Sequence, residues 1–378
     1  MRIYLDHNAT TPLRDEVIEA SAAALRDLYG NPSSTHAEGA AARAALARAR
    51  EQVAGCLGVA PGGVYFTSGA SESNNSVLRA LAGGASAVTR LVISNVEHPS
   101  VVEPAAWLEK CGVGVTRLSV DAEGLLEPDA VADAAAGADL VSLIWANNET
   151  GVVQPMQAIA ERLREIGVPL HVDATQAVGK WPVDMKRVPV DWLSCSAHKL
   201  NGPKGVGCLA VAEGRDIEPL VLGGGQERGR RGGTENIPGI VGFGVACELA
   251  RAECGARMQR YAALRDRLWD GIRKRVPRVR RNGAADRVLP NTLNLEIEGT
   301  PGEVLLEALD LEGVAVSAGA ACHSGSVKAS HVLSAMGRTP EQARASLRLS
   351  VGHGNDAGQI DRVVEILETL VRRAREAA

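Results

Sequence analysis

The stretch "VPLHVDATQAVGKWPVDMKRVPVDWLSCSAHKLNGPKGVGCLAV", residues 168–211, contains three short runs rich in Val, Leu and Cys: "VPLHVDATQ", "DWLSCSAHK" and "GVGCLAV". Runs that are apolar almost throughout mark strands buried on both faces, the pattern of a mostly parallel sheet. Asp173 falls at the C-terminal end of the first run. Lys199 ends the second and is followed by a Gly-Pro-Lys-Gly turn. In open α/β sheets ligands lie beyond the carboxyl ends of the strands, so an acid and an amine converge where a ligand would sit.

Working outward, "GGVYFTSG", "RLVISNVEH", "VGVTRLSV" and "ADLVSLIWANN" add four further strand-like runs. Helical stretches such as "PSVVEPAAWLEKCG" and "QPMQAIAERLREIG" lie between them, each closed by a glycine suited to a C-cap. This alternation predicts an α/β fold, a seven-stranded, mostly parallel sheet with helices on both faces. After residue 236 a long helical stretch leads into short strands mixed with helices. The expected division is a large domain over residues 15–255 and a smaller α+β domain from residues 1–14 and 256–378.

Composition narrows the classes. Net charge is −4, with no basic block and only 3% aromatic residues, which argues against a nucleic-acid partner. No apolar run approaches the roughly 18 residues of a membrane helix. "MRIYLDHNATTP" lacks the apolar core of a signal peptide. Seven cysteines without paired spacing argue against a disulfide framework and against a metal site. The expectation is a reduced, cytoplasmic protein.

A third feature joins the acid and the amine. "YFTSGASESNN", residues 65–75, ends a strand with small hydroxylated residues and opens a helix, whose free N–H groups make a phosphate cradle. A strand-end Asp is commonly a cap, and a lysine is commonly solvated. The three together fit pyridoxal phosphate: a lysine to bind the aldehyde, an acid for the pyridine nitrogen, and a cradle for the phosphate.

The chain also resembles the cysteine desulfurases of the NifS/IscS type, within the class V, fold-type I aminotransferases. The resemblance is carried nearly end to end by "YLDHNATTPL", "GNPSSTHAEG", "TSGASESNN", "EHPSV", "NNETGVVQP", "HVDATQAVGK", "SAHKLNGPKGVG", "RRGGTEN" and "ACHSG". It implies that Lys199 holds the cofactor, Asp173 faces the pyridine nitrogen and Gln176 meets the phenolic oxygen. His98 would stack on the ring and act as an acid/base, while Asn148, with Asn147 beside it as the other register, would sit at the ring edge near the substrate. Ala70, Ser71, Ser196 and His198 would line the phosphate; the family usually has Thr where this chain has Ser71. Thr234 would reach the phosphate of the other subunit in a homodimer. Arg348 would clamp the carboxylate of L-cysteine through its planar fork. For three of these a plainer reading stands beside the functional one: His98 as a helix cap, Asn148 as a turn residue and Arg348 as an ordinary strand arginine.

Cys322 lies in "VSAGAACHSGSVKAS", residues 316–330, with almost nothing bulky around it. The plain reading is a small residue in a tight turn. With the cofactor in place, the thiolate becomes the acceptor of the substrate sulfur, held as a persulfide for delivery to a sulfur-acceptor or scaffold protein. The other six cysteines read as small core residues. The expected reaction is conversion of L-cysteine to L-alanine, with iron–sulfur cluster or other thio-cofactor assembly as destination. Its alternatives are a selenocysteine lyase or cysteine sulfinate desulfinase, and an aminotransferase on the same fold.

Overall fold

The computed structural model describes residues 2–80, 89–318 and 329–376. Cys322 therefore lies outside the described residues. A two-residue strand β1 (Ile3–Tyr4) opens the chain, and the central sheet follows: β2 (Val64–Thr67), β3 (Arg90–Ser94), β4 (Gly114–Leu118), β5 (Leu140–Ile144), β6 (Leu170–Asp173), β7 (Trp192–Ser196) and β8 (Gly207–Val211). The spatial order is β2-β8-β7-β6-β5-β3-β4, and β8 pairs antiparallel to both neighbours while the remaining pairs are parallel. Every residue of β5, β6, β7 and β8 is buried, as the unbroken apolar runs imply.

A second sheet contains β9 (Val279–Arg281), β10 (Thr292–Ile297), β12 (Ser317–Ala318) and β13 (Ser346–Ser350), in the order β12-β13-β10-β9. Between these in sequence, β11 (Val314–Ala315) pairs with β1 instead. The run "GVAVSAG" thus splits between two sheets. The main apolar core of the central sheet includes Val92, Val172 and Phe243, a separate cluster of that sheet includes Leu91, Ile93 and Leu140, and the core of the second sheet includes Ile3, Leu295 and Leu367.

One helix, Ile237–Arg275, passes between the two cores: Ile240, Phe243 and Ala250 pack into the first, and Leu264, Leu268 and Ile272 into the second. It begins with Asn236 accepting from Gly239 N–H and with Pro238 in the first turn, where the missing donor does no harm. The C-terminal helix, Ala357–Glu376, buries Ile360, Val363, Val364 and Leu367 against the second core. Among the described residues no helix is long and apolar enough to cross a membrane.

One sequence expectation needs correction. Cys195, Cys208 and Cys247 are buried, but Cys56 and Cys254 are half-buried and Cys111 is exposed. Cys111 caps the C-terminus of the helix Pro99–Lys110, where the chain turns through Gly112 at φ 93°. The turn, not the core, determines its surroundings.

Candidate active site

The carboxyl ends of β6 and β7 open onto a cavity of about 650 Å³. Lys199, Asp173, Gln176, His98, Asn148 and Arg348 all line it, as do Ala70, Ser71, Ser196 and His198. Thr234 is exposed and lies outside this lining.

Lys199 sits in the 3-10 turn Ala197–Lys199 that ends β7. Its amine donates to the carbonyls of Asn8, at 2.6 Å, and Ala9, at 2.8 Å. Burial and the nearby Arg348 guanidinium lower its pKa to about 8, with Asp173 and Asp6 acting in the other direction. The lowered pKa raises the neutral fraction that a nucleophilic amine needs. His198, next in the wall, is pushed down to about 4 by burial and by Lys199.

Asp173 is buried at the end of β6. One carboxylate oxygen accepts from Asn74 Nδ2 at 2.8 Å and the other from Thr175 N–H at 3.0 Å. Asn74 Nδ2 also donates to Ser100 Oγ at 2.8 Å, and Ser100 Oγ lies 2.7 Å from His98 Nδ1. A continuous polar chain thus ties Asp173 to His98. Ser100 N–H donates to His98 Nδ1 at 3.1 Å, so the neutral imidazole carries its proton on Nε2. His98 is both the N-cap of the helix Pro99–Lys110 and a wall of the cavity; the plain and the functional positions coincide.

The phosphate-cradle expectation rests on the helix Ala70–Ala80. Its first turn faces the cavity through Ala70, Ser71 and Glu72. A helix start leaves backbone donors unpaired, and they attract anions. Glu72 would oppose an anion there, but its carboxylate is engaged by Arg231 at 2.9 Å and Ser68 N–H at 2.8 Å.

Arg348 projects from β13, buried, with Nη2 2.7 Å from Asp6 Oδ1 and Nη1 3.0 Å from the Asn148 carbonyl. Its Nε is buried and has no partner among the described residues. Asn147 and Asn148 are placed differently. Asn147 turns inward, its Oδ1 accepting from Glu149 N–H, Thr150 N–H and Thr150 Oγ1, while Asn148 lines the cavity.

The stretch "YLDHNATTPL" carries the family resemblance, but nothing in its sequence singles out Asp6, Asn8, Ala9 or Thr10. Asn8, Ala9 and Thr10 line the cavity, and Asp6 holds Arg348. Thr175 has no role in the sequence reading either, and its Oγ1 is buried at the cavity without a partner among the described residues. The cavity therefore offers an amine of lowered pKa, a buried carboxylate, a helix N-terminus and unpartnered polar atoms. A flat ligand with an aldehyde, a basic ring nitrogen and a phosphate meets each of these groups; the residues fit pyridoxal phosphate.

Comparison with known proteins agrees. Residues 3–363 match the family model described as aminotransferase class-V. The chain is 41% identical over 375 residues to a cysteine desulfurase IscS of Methanosarcina thermophila, covering 99% of this chain and 93% of that one. Among solved structures, a NifS-like protein superposes with a TM-score of 0.93 at 34% identity, over 99% of this chain and 100% of the other. SspA in complex with cysteine superposes at 0.82 and 35% identity, covering 93% of this chain and 99% of the other. The chain belongs to the aminotransferase class-V family.

Proposed function

We propose that this protein is a pyridoxal-phosphate-dependent cysteine desulfurase that converts L-cysteine to L-alanine and passes the sulfur to Cys322. The observation that carries the reading is the convergence of Lys199, Asp173 and the Ala70 helix start on one cavity. The desulfurase relative and the cysteine-bound structural neighbour support the choice of substrate.

Lys199, Asp173, Gln176, Ser196, His198 and the first turn of the Ala70 helix would hold the cofactor. When bound, the cofactor supplies an electron sink that weakens bonds at the substrate's α- and β-carbons. Arg348 binds the substrate carboxylate through its guanidinium, and Asn148, whose carbonyl accepts from Arg348, fixes the adjacent wall. Lys199 Nζ moves the Cα proton. His98 exchanges a proton at the substrate sulfur, its ring orientation set by Ser100. Cys322 Sγ, as thiolate, forms the new S–S bond while the Cβ–S bond breaks. The product is alanine, and Cys322 keeps the persulfide.

Thr234, exposed and outside its own chain's cavity, reads as the residue that completes a neighbouring site in a homodimer. The domain division at residues 15–255 against 1–14 with 256–378 fits the two apolar cores. A persulfide on Cys322 implies a sulfur-acceptor protein, with iron–sulfur or other thio-cofactor assembly downstream. It also implies a reducing compartment such as the cytoplasm.

The test is product analysis of purified protein given L-cysteine and a thiol reductant, which releases the persulfide sulfur as sulfide, together with borohydride reduction and peptide mapping. Alanine and sulfide, with the reduced cofactor attached to Lys199, are expected. A keto acid product, or attachment elsewhere, contradicts the reading.

A further inference from the structure

Four residues past Gln176, the Lys180 side chain is buried within the protein, 5% exposed overall. Its amine donates to Gln176 Oε1 at 2.6 Å. Gln176 in turn donates through Nε2 to the carbonyl of Asn8 at 2.8 Å, the same oxygen that Lys199 Nζ meets at 2.6 Å. The amide of Gln176 is therefore held at both ends. A flip would set its oxygen against the Asn8 carbonyl, which can only accept, and would take away the acceptor that the Lys180 amine now meets.

The surroundings explain why Gln176 matters to Lys180. Lys180 lines a small cavity of about 20 Å³ together with the titratable residues His7, Lys199, Arg257, Tyr261 and His353, and among the described residues no carboxylate lines it. A buried amine without a carboxylate is poor material for stability. Its hydrogen bond to a cavity-lining amide is a specific use.

We propose that Lys180 is a positioning residue that fixes the Gln176 amide so that an N–H of Nε2 is presented to the phenolic oxygen of the cofactor beside Lys199. This rests on the cofactor reading above. A donor facing an anionic oxygen eases loss of the neighbouring proton, so withdrawing it raises the pH at which the cofactor's visible absorption changes.

The experiment titrates that absorption in the full-length holoenzyme for wild type, Lys180→Met, Gln176→Ala and the double variant, and records Tm for each. Lys180→Met and Gln176→Ala should each raise the midpoint by about one pH unit, the scale of a lost hydrogen bond to a charged group. The double variant should match Gln176→Ala alone, because the two act through one contact. Tm should hold, since methionine replaces an amine that lacks a carboxylate. Lys180→Gln, too short to keep the contact, should repeat the shift if the methionine variant does not fold. An unchanged midpoint, or a shift that adds in full to that of Gln176→Ala, overturns the proposal. A wild-type protein with no visible band would instead sink the cofactor reading itself.

Discussion

The Lys199 amine lies 2.6 Å from the backbone carbonyl of Asn8, a contact that joins the end of β7 to the N-terminal turn. Two carbonyl acceptors, Asn8 and Ala9, orient the amine without supplying a carboxylate, so burial and Arg348 are left to lower its pKa to about 8. An amine so placed is held in position yet deprotonates readily.

Reconstitution of the apoprotein with pyridoxal phosphate should therefore speed up as pH rises, with a midpoint near the Lys199 value of about 8. Because Arg348 lowers that value as a like charge, Arg348→Met should move the midpoint upward. Stopped-flow absorbance across pH reads both; a midpoint near the usual lysine range in wild type contradicts the assignment.

The Arg348 fork makes a second prediction. Arg348→Lys keeps the charge but loses planar two-point binding, so kcat/KM for L-cysteine should fall on the order of 10- to 100-fold, mainly through KM. Steady-state kinetics on the holoenzyme decides it, and an unchanged KM would place substrate recognition elsewhere.

Asn147 and Asn148 should separate cleanly. Asn147→Ala strips acceptors from Glu149 N–H and Thr150 N–H and a donor to the Val96 carbonyl. It should cost roughly 2–3 kcal/mol of stability. Asn148→Ala, at the cavity wall, should lower activity with little change in denaturation midpoint. If the two exchange effects, the register drawn here is wrong.

Glu97 gives the pH dependence of stability. Its carboxyl is buried, and burial pushes it up from 4.5 to about 8, although Ser94 Oγ and Ile144 N–H donate to it. The folded protein then holds a proton that the unfolded chain releases. Stability from this group should be full below pH 4.5 and decline as pH rises through about 8. Denaturant unfolding of Glu97→Gln should show a flatter profile across that window; an identical slope refutes the assignment.

What the sequence disclosed, and what it withheld, follows from the physics of each residue. Lys199 and Asp173 were legible because apolar strands announce themselves and their ends are where ligands collect. Asn8 was not, because it acts through a backbone carbonyl that any residue carries. Asp6 and Arg348 are 342 positions apart in sequence, and the parallel bridge of Asp6 to Ser350, at the end of β13, brings them together. His98 was legible as a cap and as a site residue, and it is both a cap and a cavity wall. The glycine after Cys111 marked the helix end, but the exposure of Cys111 was hidden because a helix end does not say which way its last side chain faces.

The central claim is that Cys322 receives the sulfur. Mass spectrometry of the Cys322 peptide, after the full-length holoenzyme has been incubated with L-cysteine and quenched without reductant, tests it directly. A gain of one sulfur atom on that thiol, absent in Lys199→Ala, is expected. Alanine forming at the wild-type rate in Cys322→Ser, with no added sulfur on Cys322 in the unaltered protein, would contradict it.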